Sequence, residues 1–339
     1  MVFVIFGVRA DEPHADVPDP GPAASLQQRW LDPNWRAAHQ RRRISRRAFP
    51  ADTLPIAETD VGPGSLGTFL GSEPHFDDVT AWYDPCIADP RPHPLLRFDP
   101  GQKWWKVHEA IIRANVAASK GNYFVGCPDL IENFDTLAQL RGTQTLLTDL
   151  YDRPGWVKER IAEINQAYFE AYGRIYEMIA VAEPEHAKAG AVFGAFHLWA
   201  PGKVAKVQCD AAAMLSPGQF REFVAPALAA QCEWLDYPMF HLDGSDCIRH
   251  LDALLEIESL RAIQWTPQAG RPQTGSPQWF PLYKRVLDAG KSLQIGSGMK
   301  PHETLPVLDA IGSKGVFIWT TLERQDEGEE LAGKVERYR

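Results

Sequence analysis

Residues 239–257 read "MFHLDGSDCIRHLDALLEI", with an imidazole (His241) and a carboxylate (Asp243) two positions apart, then a glycine and an amphipathic run. In an extended strand, residues two apart share a face. Met239, His241 and Asp243 therefore point one way, and Phe240 and Leu242 point the other. The apolar pair suits a layer against helices. The polar pair then lies on the opposite face, near the strand's carboxyl end, where it can move a proton close to neutral pH. The bland alternative is that the two satisfy one another, or cap the helix starting near Ser245.

The same alternation test yields a set of polar positions on other apolar runs. Glu58 and Asp60 share a face, as do Gln208 and Asp210, with Val207 and Cys209 opposite. Gln264 lies between Ile263 and Trp265, Gln294 lies between Leu293 and Ile295, and His197 and Trp199 share a face. Burying such groups without partners costs about 1–3 kcal/mol each, so they must pair with one another, with water or with a ligand. Each has a structural alternative: His197 bonded to backbone, Gln264 and Gln294 as structural amides, Glu58 and Asp60 as caps, Cys209 as a small apolar residue. Trp82 and Tyr83 fit either a ligand wall or a core.

Eight segments read as strands: 55–61, 122–127, 191–199, 205–211, 238–244, 260–266, 292–297 and 315–321. Helical patterns fall at 102–120, 130–148, 154–186, 216–236, 245–257, 277–290 and 301–312. Ser216 before Pro217 and Ser276 before Pro277 are helix start signals, and Ser245 is another candidate cap. Repeated strand–helix units imply parallel strands with right-handed crossovers. Eight of them predict an α/β fold, a single (β/α)8 barrel whose chemistry sits at the carboxyl ends of the strands. The division expected is an N-terminal extension over 1–54 with a basic helix, then a barrel domain over 55–339. Residues 10–25 are rich in Pro, Asp and Ala and read as a flexible lead-in. Residues 62–101 lack a period and read as a long loop insertion after the first strand, of the kind that covers a site. Arg41, Arg42, Arg43, Arg46 and Arg47 read first as a solvated basic face, and second as an anion-binding arm.

The chain has 339 residues, 45% hydrophobic, with formal net charge −9. The negative charge argues against a nucleic-acid partner. Five scattered cysteines without a CxxC pair fit a reducing cytoplasm rather than a disulfide framework. The opening "MVFVIFGVRADEP" lacks a basic leader and is too short to span a bilayer, and no longer apolar window follows, so a cytoplasmic protein with no membrane association is expected. No GxGxxG follows the first strand and no P-loop motif occurs.

The segments "LRGTQTLLTDLYDRPGWVKERI" (140–161), "QCDAAAMLSPGQFREFVAPAL" (208–228) and "HLDGSDCIRHLDALLEI" (241–257) resemble the uroporphyrinogen decarboxylase-like superfamily over roughly residues 55–325. The resemblance implies a (β/α)8 TIM barrel. Porphyrinogen decarboxylases carry "RQAGRY" and an aspartate in "FSDI"; the first motif is absent here, and Asp60 in "AETDV" could take the aspartate's place. Corrinoid-dependent methyltransferases of the same superfamily hold zinc with a His-x-Cys pair and a later cysteine. The corresponding pair here is His241 and Asp243, with Thr320 and Thr321 near the last strand. The resemblance therefore implies methyl transfer or demethylation of a small methylated substrate, with His241 and Asp243 as catalytic residues and as ligands of a metal such as Zn. It also implies a corrinoid (cobalamin) carried by a partner protein and not covalently bound. Glu58, Asp60, Trp82, His197, Trp199, Gln208, Asp210, Gln264 and Gln294 would bind the small-molecule substrate. The alternatives are a carboxy-lyase acting on a porphyrinogen or other carboxylated substrate, and a non-catalytic binding protein on a barrel scaffold. Members of the family often form homodimers, so the resemblance also implies a homodimer.

Overall fold

A computed structural model describes every residue except 1, 11, 12, 14, 15, 92 and 181–189. The end of the helix expected over 154–186 and part of the lead-in expected over 10–25 lie outside the described residues. Thirteen strands are described, and most of the long ones follow apolar runs. They are β1 Val2–Arg9, β2 Arg47–Ala48, β3 Ile56–Ala57, β4 Glu73–Phe76, β5 Ala81–Asp84, β6 Phe124–Cys127, β7 Ala191–Phe193, β8 Leu198–Ala200, β9 Val204–Gln208, β10 Tyr237–Asp243, β11 Ala262–Thr266, β12 Ser292–Met299 and β13 Val316–Thr321.

The fold is α/β. One sheet runs β2-β1-β13-β12-β11-β10-β9, and a second runs β3-β6-β7-β8. From β1 through β9 every pairing in the first sheet is parallel, and β3, β6 and β7 are parallel in the second. Helices such as Ala225–Trp234, Leu251–Leu255, Phe280–Asp288 and Thr304–Ile311 connect the successive parallel strands. The outer face of the first sheet is apolar. Val207, Phe240, Leu242, Ile263, Trp265, Ile295 and Ile318 are all buried there, in one core with Leu251, Leu254, Tyr283 and Val307. Each such side chain stabilises the fold by roughly 1.5–3 kcal/mol.

The expected ring of eight strands is not closed by ladder hydrogen bonds among the described residues. The ladder stops between β9 and the second sheet, and again before β3. The run 191–199, expected as one strand, is a hairpin of β7 and β8 with a turn between them. His197 therefore sits in the turn in a left-handed conformation (φ 53°) and does not share a strand face with Trp199. Gly126 faces this turn at a distance that no side chain would fit: a Cβ there would lie 2.9 Å from Gly194 Cα. The N-terminal apolar run, which no strand expectation covered, pairs in parallel with β13, Val4 opposite Ile318.

The helix expected over 130–148 is two helices, Asn133–Arg141 and Thr143–Asp152, divided at Gly142 (φ 84°). Arg141 binds Asp149 (2.8 Å) and the carbonyls of Ile87 (2.9 Å) and Ala88 (2.5 Å). The "LRG…DLYDRP" segment thus ties down the insertion. That insertion contains the hairpin β4–β5, joined from His75 to Asp84 at 2.7 Å. The basic helix Pro33–Ser45 is not a fully solvated face either. Arg36 is buried and donates to the Asp60 carbonyl (2.5 Å), while Arg43 reaches the Ile56 carbonyl (2.8 Å) and Glu58 (3.5 Å). No helix among the described residues is long and apolar enough to cross a membrane.

Candidate functional site

Strand register explains why the polar set converges. His241 pairs with Gln208 on one side and Gln264 on the other, and Gln264 pairs with Gln294. Directly paired residues point to the same side of a sheet, so four neighbouring strands present a row of amides and one imidazole. Lys206, two before Gln208, and Asp243, two after His241, share that face. Asp210 is not in the strand, since β9 ends at Gln208 and Asp210 opens a 3-10 turn, Asp210–Met214. It still returns to the row, because Gln208 Nε2 donates to its Oδ2 at 2.9 Å.

Asp210, His241 and Asp243 form a tight group: one potential ligand atom from each lies within 4.8 Å of the others. The Gln264 amide settles which histidine nitrogen is available. Its Nε2 donates to the Trp265 carbonyl (2.8 Å) and to Thr266 Oγ1 (2.9 Å), which turns Oε1 toward His241 Nδ1. Nδ1 must carry the proton, so the neutral ring offers Nε2 as a bare acceptor. Burial first, and then the Lys206 charge, lower the His241 pKa and favour that neutral form. Asp243 accepts no hydrogen bond from the described residues, and Asp210 Oδ1 accepts none either. Desolvation and then the Asp135 charge push the Asp210 carboxyl up to about 7, with Asp243 adding to the effect. Solvent reaches Asp210 from the open side, while its protein side faces other acids.

The surroundings are strongly acidic. Asp135 accepts from the backbone N–H groups of Asp210 (2.7 Å) and Ala211 (3.1 Å) and from Gln208 Nε2 (3.0 Å). Glu132 is buried and accepts from the Gln208 N–H at 2.7 Å; desolvation pushes it up to about 8 against the pull of Lys206. Lys206 pairs with Asp129 at 2.8 Å and donates to Gln208 Oε1. The Phe196 ring lies 5.0 Å from the His241 ring, and the Phe196 carbonyl accepts from Gln294 Nε2 (2.8 Å). Cys209 and Cys247 are buried beside these acids. Desolvation and neighbouring carboxylates raise both thiols, Cys247 to about 12.

Beside the triad lies a cavity of about 550 Å³, lined by Trp82, Tyr83, Ile131, Asp135, Asp210 and Met214 among others. The β4–β5 hairpin supplies Trp82 and Tyr83, so the insertion does border the polar row. Trp82 itself is half exposed and stacks on His75 (5.7 Å). The remaining expected residues gather elsewhere. Asp60 holds the Asp129 N–H (2.5 Å), and desolvation pushes its carboxyl up to about 7. Glu58 pairs with Arg43, and His197 packs edge-on to Trp319 at 4.9 Å. Burial lowers the His197 pKa to about 4. Trp199 is exposed on β8, without a ring contact to the cluster.

Lys206, Asp129, Glu132, Asp135 and Phe196 were not singled out from sequence. The signal for Lys206 was present, since it alternates with Gln208 and Asp210 in "AKVQCD". The acids of "CPDLIENFD" recur every third residue into the helix Asn133–Arg141, and nothing local says that they face β9.

No protein-family model and no curated protein matches this sequence. Among solved structures, the chain is similar in fold to a methyltransferase from Methanosarcina mazei, with a TM-score of 0.61 and 11% identity over 97% of this chain and 95% of that one.

Proposed function

We propose that this chain is a methyltransferase that works on a small methylated substrate with a corrinoid protein as its partner, in the cytoplasm. In this reading the two parallel sheets are arcs of a (β/α)8 barrel of the uroporphyrinogen decarboxylase-like type. The observation that carries it is the Asp210–His241–Asp243 group. An imidazole and two carboxyl groups converge to within 4.8 Å, with the Gln208 amide donating to Asp210 from behind, at the carboxyl ends of parallel strands, beside a cavity.

Such a group holds positive charge. One neutral nitrogen and two carboxylate oxygens suit a divalent ion such as zinc, and the ring orientation imposed by Gln264 fits a ligand histidine. A metal bound there would act as a Lewis acid on the substrate heteroatom. Asp210, with its proton held to near neutrality, serves the same end without a metal by placing a proton against that heteroatom. As the methyl–heteroatom bond breaks, the electron pair stays on the heteroatom, where the Asp210 proton, or a metal ion if one were bound by Asp210, His241 and Asp243, would stabilise it. A reduced corrinoid on the partner would supply the two-electron nucleophile that accepts the methyl group. Trp82 and Tyr83 wall the cavity, Gln264 orients the His241 ring, and Gln294 holds the Phe196 carbonyl beside it.

The test is methyl transfer between a small methylated compound and cob(I)alamin, followed by the change in cobalt absorbance. Asp243→Asn should lower the rate by about 10²–10⁴-fold with the fold intact by circular dichroism. A wild-type chain inert toward amine, ether and thiol methyl donors would sink the reading. A second reading, decarboxylation of a carboxylated substrate, draws on Arg36 and Arg43 standing beside Asp60 and Glu58. Release of CO2 that depends on Arg43 and Asp60 would favour it.

A further inference from the structure

Lys206 is a buried charge that takes no direct part in the proposed chemistry. It is only 2% exposed on β9. A buried ammonium is costly unless it is paired. Asp129, 2.8 Å away, supplies the pairing, yet the same Nζ also donates to Gln208 Oε1. An ammonium has donors and no acceptor. It therefore dictates the orientation of the Gln208 amide, with oxygen toward Lys206 and nitrogen away. Nε2 is then delivered to Asp210 Oδ2 (2.9 Å) and Asp135 Oδ2 (3.0 Å). A reversed amide would set N–H against the ammonium and oxygen against two carboxylates. The backbone on either side is pinned, with Gln208 N–H on Glu132 (2.7 Å) and Asp210 N–H on Asp135 (2.7 Å). The side-chain amide is thus the adjustable link between the buried lysine and the Asp210 carboxylate.

We infer that Lys206 is a positioning residue for the triad: acting through the Gln208 amide, it holds the Asp210 carboxylate against His241 and Asp243. This inference rests on the metal reading of the triad for its main readout. A merely structural Lys206–Asp129 pair would alter stability and leave metal affinity to the ligands alone.

The experiment titrates Co2+ into the full chain and its variants, followed by calorimetry and by the visible d–d bands. Lys206→Met should weaken Co2+ binding by about 10–100-fold, the usual effect of losing a group behind a ligand. Gln208→Met should do the same, and the double variant should be no worse than Gln208→Met, because both lie on one path. Wild-type affinity in Lys206→Met, or losses that simply add, would overturn the inference. Should Lys206→Met fail to fold, Gln208→Met carries the test, since it keeps the Lys206–Asp129 pair, and unchanged Co2+ binding then overturns the relay. A wild-type chain that takes up no Co2+ removes the metal reading, and the relay is judged by nuclear magnetic resonance of the Gln208 side-chain amide. Exchange-protected N–H signals that are lost in Lys206→Met uphold it, and signals that do not change overturn it.

Discussion

Gln264 is the residue on which the chemistry of His241 turns. It is fully buried, spends both amide hydrogens on Trp265 and Thr266, and has only its oxygen left for the imidazole. Replacing it with leucine removes the acceptor, so the ring can rotate or exchange tautomers, and a neutral ring need no longer expose Nε2. Gln264→Leu should therefore weaken Co2+ binding by about 10–100-fold while the far-ultraviolet dichroism stays that of the wild type. Unchanged affinity would mean that backbone and packing alone hold the ring. His241, Asp243, Gln208, Gln264 and Gln294 were legible from alternation, because a polar residue on one face of an apolar strand stands out, whereas Asp210 lies beyond the end of its strand. The partner acids were not legible, since a carboxylate at a helix start looks the same whether it caps the helix or crosses to another strand.

At the level of elements, the helix Lys103–Ser119 is fastened to the insertion by a buried histidine. His108 Nδ1 lies 2.8 Å from the Trp104 carbonyl and Nε2 lies 2.9 Å from Ser65 Oγ, with Phe69 edge-on to the ring at 4.9 Å. Desolvation lowers its pKa from 6.5 to about 4. The unfolded chain therefore binds a proton that the folded chain refuses between those two values. The contribution is intact above pH 6.5 and is lost as pH falls toward 4, by an amount on the order of 3 kcal/mol. His108→Gln should flatten that part of the stability curve measured by urea unfolding between pH 4 and 7. A variant with the wild-type slope would place the titration elsewhere. The helix itself was expected within a residue or two of its ends. The break at Gly142 and the hairpin at 191–200 were not, because each depends on a local backbone conformation that the apolar pattern does not encode.

For the whole molecule, the sheet reaches further than the eight expected strands. Val4 is buried, its N–H is held by Asp52 at 2.9 Å, and β1 pairs along the whole of β13. Deleting residues 2–9 would expose β13 as an open parallel edge, which favours association with other chains. The truncated chain should melt several degrees lower and form larger species by light scattering. An unchanged melting temperature would show that β1 contributes nothing to the sheet. What the sequence by itself determined was the alternation of strands and helices, their parallel sense, and the sidedness of the polar residues. Hydrophobic periodicity and short-range steric rules suffice for these. Only the tertiary structure decided that Asp210 returns to His241 and Asp243 from outside its strand, that Lys206 and three acids stand behind them, and that the ladder among the described residues falls into separate sheets. These depend on register between distant segments and on the packing of side chains across them, and neither is written in any local stretch.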